Sequence, residues 1–596
     1  MKKRIIPFLT LITITLSSCA LFSSATPYEK EIAVYDIDVL DDTQQLESCY
    51  QTSVTACFKT GQDYIPYLTL KQYASLYEKH FADDVTSTVT SSPFYDVWLI
   101  SKGTDYCFVC EFSRVSKEIL IAGSIDAAFK ENDDPRDLKS LEYGVDIQTE
   151  GKRLSDEVSY GLFSYENYGI SCFNYDSKRY YPLGLLDITI SDSSMIYFTY
   201  NYKHIFSTRE TDNYATKYFI DEGKTYSFDT QMESMKKDAS IPSYLLNYNT
   251  GLFLYLMDYL YGLREYKGID SFAYYYRKKG FYNDLFSKDG YVRAQAYSDA
   301  LSVLDDHHTV LVSANNTWGE SYFVRRRYGE GVASRVRLEN TLIEYRNSTY
   351  QNYLENDRPK PSKPEKDILY SQDGKTAMFA FDKFVFGTSA QIFNDDGTVK
   401  DTAKEYDSYF QLIDAFNRIK EKGGVENIVL DISLNGGGVV GVLIKLLALI
   451  SKNNTSRFCF YEAVSKQAII YTSKVDINGD EQYDLSDCFG DDFNFYILTS
   501  DCSFSCGNAF PYIAQILGDA KIIGQKSGGG ECAVAVHYLP NSEYVYHSSN
   551  IHIGDYNETT NTFNGFESGA TPDIPIAIDQ NFYSIENLNS AIKNAR

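Results

Sequence analysis

The 596-residue chain predicts an α/β core of mostly parallel sheet with flanking helices over residues 371–596, preceded by a helical segment and a β-rich N-terminal domain. Three observations lead there. Beyond residue 371, strand-like and helix-like runs alternate: "TAMFAFDKF", "AKEYDSYFQLIDAFNRIKEKGG", "NIVLDIS", "VVGVLIKLLALI", "FNFYILTS", "GNAFPYIAQILGD" and "AKIIG". That alternation builds a parallel sheet with helices on its faces, its buried strands reading as apolar runs. Upstream, "YLLNYNTGLFLYLMDYLYGL" is apolar around most of a helical circumference, as a buried helix is. Further upstream, short runs such as "DYCFVCEF", "MIYFTYNY" and "KTYSFDTQ" are separated by Asp, Ser and Gly clusters, the pattern of strands and turns.

Taken from the N-terminus, "MKKR" is a basic opening and "IIPFLTLITITL" an apolar stretch too short to span a membrane as a stable helix. Leu16, Ser17, Ser18 and Cys19 then resemble the bacterial lipobox, in which the cysteine is lipidated and becomes the new N-terminus. Residues 1–19 are therefore expected to be a lipoprotein signal peptide. The mature chain is expected to be extracytoplasmic, anchored to a membrane of the cell envelope by lipid at Cys19. A net charge of −25 argues against a nucleic-acid partner, because phosphate binding needs basic patches. Ten of the eleven cysteines follow Cys19, and their pairing cannot be read from spacing. The lone CxxC of Cys107 and Cys110 has no second pair nearby and is a weak metal signal.

Residues 20–238 form the expected β-rich domain and 239–315 the helical segment, whose amphipathic "YVRAQAYSDALSVL" runs into "DDHHT". Residues 316–370 are charged and end in "ENDRPKPSKPEKD", which reads as a polar insertion or linker.

Sites in α/β sheets form at the carboxyl ends of strands. Two glycine-bearing turns fall at such ends, "DISLNGGG" and "TSDCSFSCG". Free backbone N–H groups at a strand-to-helix turn can hold a developing oxyanion, and Gly436, Gly437 and Gly438 permit the close approach this needs. Ser505 has Gly507 two residues on, half of a G-x-S-x-G elbow with Ser503 at the first glycine position. A serine hydroxyl needs a base, and of the seven histidines His307 and His308 lie just past a helix, beside Asp305 and Asp306. Pro511 is expected to kink the helix behind Ser505 or delay its start.

"LDDHHT", "VLDISLNGGG", "TSDCSFSCGNAF", "IIGQKSGGG" and "FESGATPDI" occur in this order. Together they resemble the C-terminal processing, or tail-specific, peptidases of family S41, serine peptidases of the tricorn-core type. The resemblance covers roughly residues 245 to 590. It implies a ClpP/crotonase-like core, Ser505 as nucleophile and an oxyanion hole of Gly437 N–H and Cys506 N–H. The family has two catalytic solutions. The lysine of the Ser-Lys version falls at Gly530 here and is missing, with Lys526 four positions early, so the resemblance favours the serine-histidine version. In that version His308 takes the Ser505 proton and Glu567 takes part through an ordered network, with Asp306 as a possible orienting acid. Ser433 departs from the family's usual arginine and Asn508 from its usual glutamate, and 316–366 looks too short and polar for a peptide-binding PDZ domain.

The expected function is a lipid-anchored serine endopeptidase acting on a protein or peptide substrate through an acyl-enzyme, with no cofactor required. The alternative is an inactive relative that binds peptides or glycans at the envelope. One stretch stands apart: "DINGDEQYDLSD" places Asp476, Asn478, Asp480, Asp484 and Asp487 at positions one, three, five, nine and twelve of a calcium-loop pattern. Glu481 occupies the sixth position, where that turn wants glycine, and a solvated hairpin explains the stretch as well.

Overall fold

A computed structural model describes residues 32–41, 50–129 except 104 and 124, 147–154, 160–209 except 195, 201 and 203, 218–221, 224–227, 240–314, 329–349 and 368–595 except 395, 396 and 542. Cys19 and its flanking leader lie outside the described residues.

The sheet that carries the turns of interest has six strands. In spatial order they are Leu369–Tyr370, Thr376–Ala380, Asn427–Asp431, Asn494–Thr499, Ala520–Gly524 and Ile574–Pro575. All neighbours pair in parallel except the first two strands, which are antiparallel. Asn427–Asp431 is buried along its whole length, which is why it reads as an uninterrupted apolar run before its aspartate.

Around this sheet and before it run the helices α1 (Ser243–Leu260), α2 (Gly290–Ser302), α3 (Glu330–Thr349), α4 (Ser408–Lys422), α5 (Val440–Ile450) and α6 (Cys506–Leu517). Helix α4 starts where Asp407 accepts the Tyr409 N–H and ends at Gly423 and Gly424, both at positive φ, so the two glycines close it as the sequence suggests. Helix α5 is buried from Gly441 to Ile450, including Lys445. Helix α6 begins directly at Cys506, so Pro511 does not delay it and lies inside it. The proline leaves the Gly507 carbonyl without the N–H that an ordinary residue would supply.

A second, antiparallel sheet lies alongside. Its spine runs Val310–Ala314, Glu543–Asn557, Ser456–Glu462, Gln467–Val475 and Ile147–Leu154, with Cys532–Tyr538 and Thr562–Asn564 also pairing the long strand. Ile147–Leu154 comes from the N-terminal region and pairs residue for residue with Gln467–Val475, from Ile147 opposite Val475 to Leu154 opposite Ala468. The remaining N-terminal strands form a seven-stranded and a five-stranded sheet and a separate hairpin. Their core is continuous with α1, α2 and with Cys532, Leu539 and Val545, so apolar packing does not break at residue 238.

The polar stretch 316–370 holds more than a linker: α3 spans Glu330–Thr349 within it. Its sequence hides this, because only Val332, Leu342 and Arg346 are buried and the apolar stripe is too thin to register. Leu338, Leu342 and Tyr345 pack against the cluster of Phe582, Leu588 and Ile592, and Arg346 adds to the docking. Its guanidinium is 1% exposed and bonds Asp431 Oδ2 through Nε at 2.8 Å and Asp382 Oδ1 through Nη1 at 2.7 Å, over the ring of Tyr583.

Candidate active site

The strand Asn494–Thr499 runs into a turn tied to the neighbouring strand end. Ser500 Oγ donates to the Ser433 carbonyl at 2.5 Å and Ser503 Oγ to the Ile432 carbonyl at 2.8 Å. Ser505 then adopts φ 56° and ψ −125°, a left-handed conformation at a residue that has a Cβ. Such strain costs about 1–3 kcal/mol and persists only where the surroundings over-determine it. Here they do. The Ser505 N–H donates to the Gly529 carbonyl at 3.0 Å, and its own carbonyl accepts the Asn508 and Ala509 N–H groups, each at 2.8 Å. The residue is half-buried, and among the described residues its Oγ makes no hydrogen bond.

The other glycine turn closes over this point. Gly437, at φ +101°, approaches so near that a Cβ on it would lie 2.7 Å from Ser505 Cβ and 3.0 Å from the Cys506 nitrogen. Cys506 N–H opens α6 and is accepted by no other residue among those described. Gly437 N–H, by contrast, donates to Asn435 Oδ1 at 2.9 Å. The Cys502 and Cys506 thiols flanking Ser505 are both pushed up to about 12 by burial, so neither is a thiolate near neutral pH.

The histidine turn comes to the same place. Asp306 Oδ1 accepts the His308 backbone N–H at 2.9 Å, and Asp306 Oδ2 accepts the Tyr261 hydroxyl at 2.6 Å. Asp306 therefore orients the turn through its backbone rather than through the imidazole. The rings of His307 and His308 pack on Phe504, the residue before Ser505, with centroids 5.0 and 4.8 Å away. Burial, with a smaller contribution from the Arg335 charge, lowers the pKa of each to about 4 against the opposing Asp306 charge and, at His308, a bond to the Cys532 backbone. No hydrogen bond joins Ser505 Oγ to His308 among the described residues, and His308 Nδ1 is buried without a partner. Contacts of this kind commonly tighten only when substrate binds.

Glu567 completes the convergence. Its Oε2 accepts the Gly530 and Glu531 N–H groups at 3.0 and 2.9 Å, in the loop whose Gly529 carbonyl holds Ser505. Burial, helped by the charges of Glu531 and Asp306 and opposed by the bonds from Glu531 and Gly530 N–H, raises its pKa to about 7. Asn508 ties the same loop to α6, donating to the Phe566 carbonyl at 3.0 Å and accepting from Ser527 Oγ and Ala570 N–H. Lys526 is exposed.

Three groups at this site escaped the sequence reading: Phe504, Arg335 and the Glu531–His552 pair, in which His552 Nδ1 lies 2.8 Å from Glu531 Oε1. Arg335 was hidden by the linker-like composition around it. The Glu531–His552 pair joins the loop before Cys532–Tyr538 to the long strand Glu543–Asn557, and no local spacing announces it.

The acidic loop is elsewhere. Asp476 accepts the Gly479 and Glu481 N–H groups, Asn478 that of Asp480, Asp480 that of Gln482, Asp484 that of Ser486, and Asp487 those of Ile477 and Asp484. Glu481 takes the left-handed φ of 61° that the pattern reserves for glycine. No group of three or more His, Cys, Asp or Glu side chains among the described residues is placed to hold a metal ion.

Residues 397–576 match the model of peptidase family S41. Among solved structures, a candidate peptidase from Parabacteroides merdae is 17% identical, with 58% of this chain and 94% of that one aligned at TM-score 0.39. Mature CPAF in complex with lactacystin is 10% identical over 59% of this chain and 98% of that one, at TM-score 0.35. A candidate S41 protease from Bacteroides fragilis is 16% identical over 39% of this chain and 57% of that one, at TM-score 0.28. No curated protein matches the chain.

Proposed function

We propose, for a chain whose residues 397–576 match the model of peptidase family S41, that it is a serine-type peptidase with Ser505 as the nucleophile and His308 as its general base. The observation that carries this is the strained Ser505 backbone at a strand-to-helix turn, held from both sides with its hydroxyl unengaged. Structures keep such strain at functional sites, where it aims a side chain at substrate.

His308 accepts the Ser505 proton as Oγ attacks the scissile carbonyl of a protein or peptide. The resulting oxyanion is stabilised by Cys506 N–H and by Gly437 N–H, which turns from Asn435 Oδ1 or shares its proton with it. The tetrahedral intermediate collapses as imidazolium protonates the leaving amine, and water then hydrolyses the acyl-enzyme by the same route. Glu567, when ionised, favours the imidazolium through the negative charge it adds near Asp306. The depressed pKa of His308 keeps it neutral, as a base must be. Every step runs on side chains and backbone N–H groups, and none calls for a cofactor. The parallel sheet with its helices supports a ClpP/crotonase-like arrangement of the core.

The leader sequence supports a lipid anchor at Cys19 and an extracytoplasmic, envelope location. The test of the chemistry is hydrolysis of fluorescent casein by wild type, Ser505→Ala and His308→Ala. Both variants are expected to lose activity by at least about a thousandfold, because members of one catalytic unit fail together. Retention of most activity in His308→Ala would remove it as the base.

A further inference from the structure

We propose that Arg335, from helix α3, is a positioning residue of this reaction, fixing the Ser505 turn to the His307–His308 turn; the proposal rests on the nucleophile and base assigned above. Arg335 reaches both chain segments that frame Ser505. Its Nη2 donates to the Gly528 carbonyl at 2.7 Å, one residue before the glycine whose carbonyl holds Ser505 N–H. Its Nε donates to Asp501 Oδ2 at 3.2 Å, and its own carbonyl accepts from Cys502 Sγ at 3.7 Å. Between these anchors the guanidinium lies 4.8 Å from the centroid of the Phe504 ring. The two imidazoles pack on the same ring. Arg335 and the histidine pair therefore cluster on the one Phe504 ring, with Ser505 next in sequence.

The helix that presents Arg335 is itself indexed to the histidine turn. Asp305, held at φ 51°, accepts the Gly331 and Val332 N–H groups of α3 at 2.8 and 2.9 Å. A Cβ at 329 would fall 2.2 Å from Asp305 Oδ1, so the approach requires Gly329. One end of α3 thus grips the histidine turn, and the first turn beyond it grips the serine turn.

The Asp501 carboxylate is half-exposed, so the ion pair by itself contributes little. The contribution comes from the fork that bridges Asp501 and Gly528 and from the flat face on Phe504, neither of which a lysine reproduces. The charge matters separately. The charges that act on both imidazoles are Asp306 and Arg335, with His308 and Asp501 acting on His307 as well; Asp306 also acts on Glu567 and His547. Among these, Arg335 is the permanent cation, and it favours the neutral imidazole that a base requires.

Casein hydrolysis and fluorophosphonate inactivation, measured across pH for Arg335→Ala and Arg335→Lys of the full chain, test this. Arg335→Ala is expected to lower kcat by about 10–100-fold with KM within about threefold, the signature of lost alignment. It should also move the lower acid limb of inactivation to higher pH. Arg335→Lys should keep that limb near wild type while its kcat stays reduced. If the alanine variant does not fold, the lysine variant decides: wild-type kcat overturns the proposal. A folded Arg335→Ala whose kcat per titrated active site and acid limb both match wild type also overturns it. If hydrolysis survives Ser505→Ala, the assignment of the nucleophile falls instead, and the role of Arg335 with it.

Discussion

Gly437 stands against Ser505 with no room for a methyl group, since a Cβ there would lie 2.7 Å from Ser505 Cβ and 2.9 Å from the Phe504 carbonyl oxygen. The two turns that the sequence leaves 68 residues apart thereby form one wall of the site. Gly437→Ala must shift either the oxyanion turn or the Ser505 turn, and its φ of +101° penalises alanine independently. The expected result is a loss of kcat of about 100-fold or more, the scale of one lost oxyanion donor. Steady-state hydrolysis beside a melting curve separates this from unfolding, and wild-type kcat in Gly437→Ala would contradict it.

The pH dependence should carry two ascending steps. His308 must be neutral to accept a proton, and its pKa is depressed to about 4, so the rate first rises as pH climbs through that value. Glu567 titrates near 7 and supports the imidazolium only when ionised, so a second rise follows there. Glu567→Gln is expected to remove the upper step and leave the lower one in place. A single step near the ordinary imidazole value, unmoved in Glu567→Gln, would contradict both assignments.

Arg346 holds the fully buried Asp431 at the end of the strand that leads into the glycine turn. Arg346→Ala strands that carboxylate and is expected to cost about 3–5 kcal/mol, read from denaturant unfolding. The family pattern places an arginine at 433, where this chain has Ser433 bonded to Asp431 Oδ1 at 2.7 Å and to the Tyr583 hydroxyl at 2.8 Å. Adding Ser433→Arg to Arg346→Ala should recover part of the loss, because it returns a guanidinium to the same carboxylate. No recovery would mean that the two positions do not serve one role.

These relationships show how far the sequence could be read. The parallel strands were legible because burial on both faces makes the "IVL" of Asn427–Asp431 and the "FYIL" of Asn494–Thr499 unbroken apolar runs. Ser505, Gly437, His308 and Glu567 could be nominated from ordered motifs, and the structure brings their segments together. What the sequence concealed is long-range. Helix α3 is docked by a narrow stripe of Leu338, Leu342 and Tyr345 and by the ion pairs of Arg346, and the charged residues around these make its pattern read as solvated. The strand Ile147–Leu154 pairs with Gln467–Val475 across more than 300 residues, and no local signal encodes that. Gly437 N–H is engaged by an asparagine two residues away, which the glycine run gave no cause to expect.

The anchoring proposal has its own measurement. Full-length protein expressed in a bacterial host should partition into detergent, and Cys19→Ser should release it, since a lipidated cysteine supplies the membrane affinity. Equal partitioning of the two forms would remove the lipid anchor without touching the peptidase chemistry.

The central claim is that Ser505 is the nucleophile, and intact-mass and peptide mass spectrometry after fluorophosphonate treatment address it directly. The account predicts one covalent adduct per chain, mapped to the peptide containing Ser505, formed more slowly in His308→Ala and absent in Ser505→Ala. An adduct on another residue, or no adduct on a folded wild-type chain that hydrolyses casein, would contradict it.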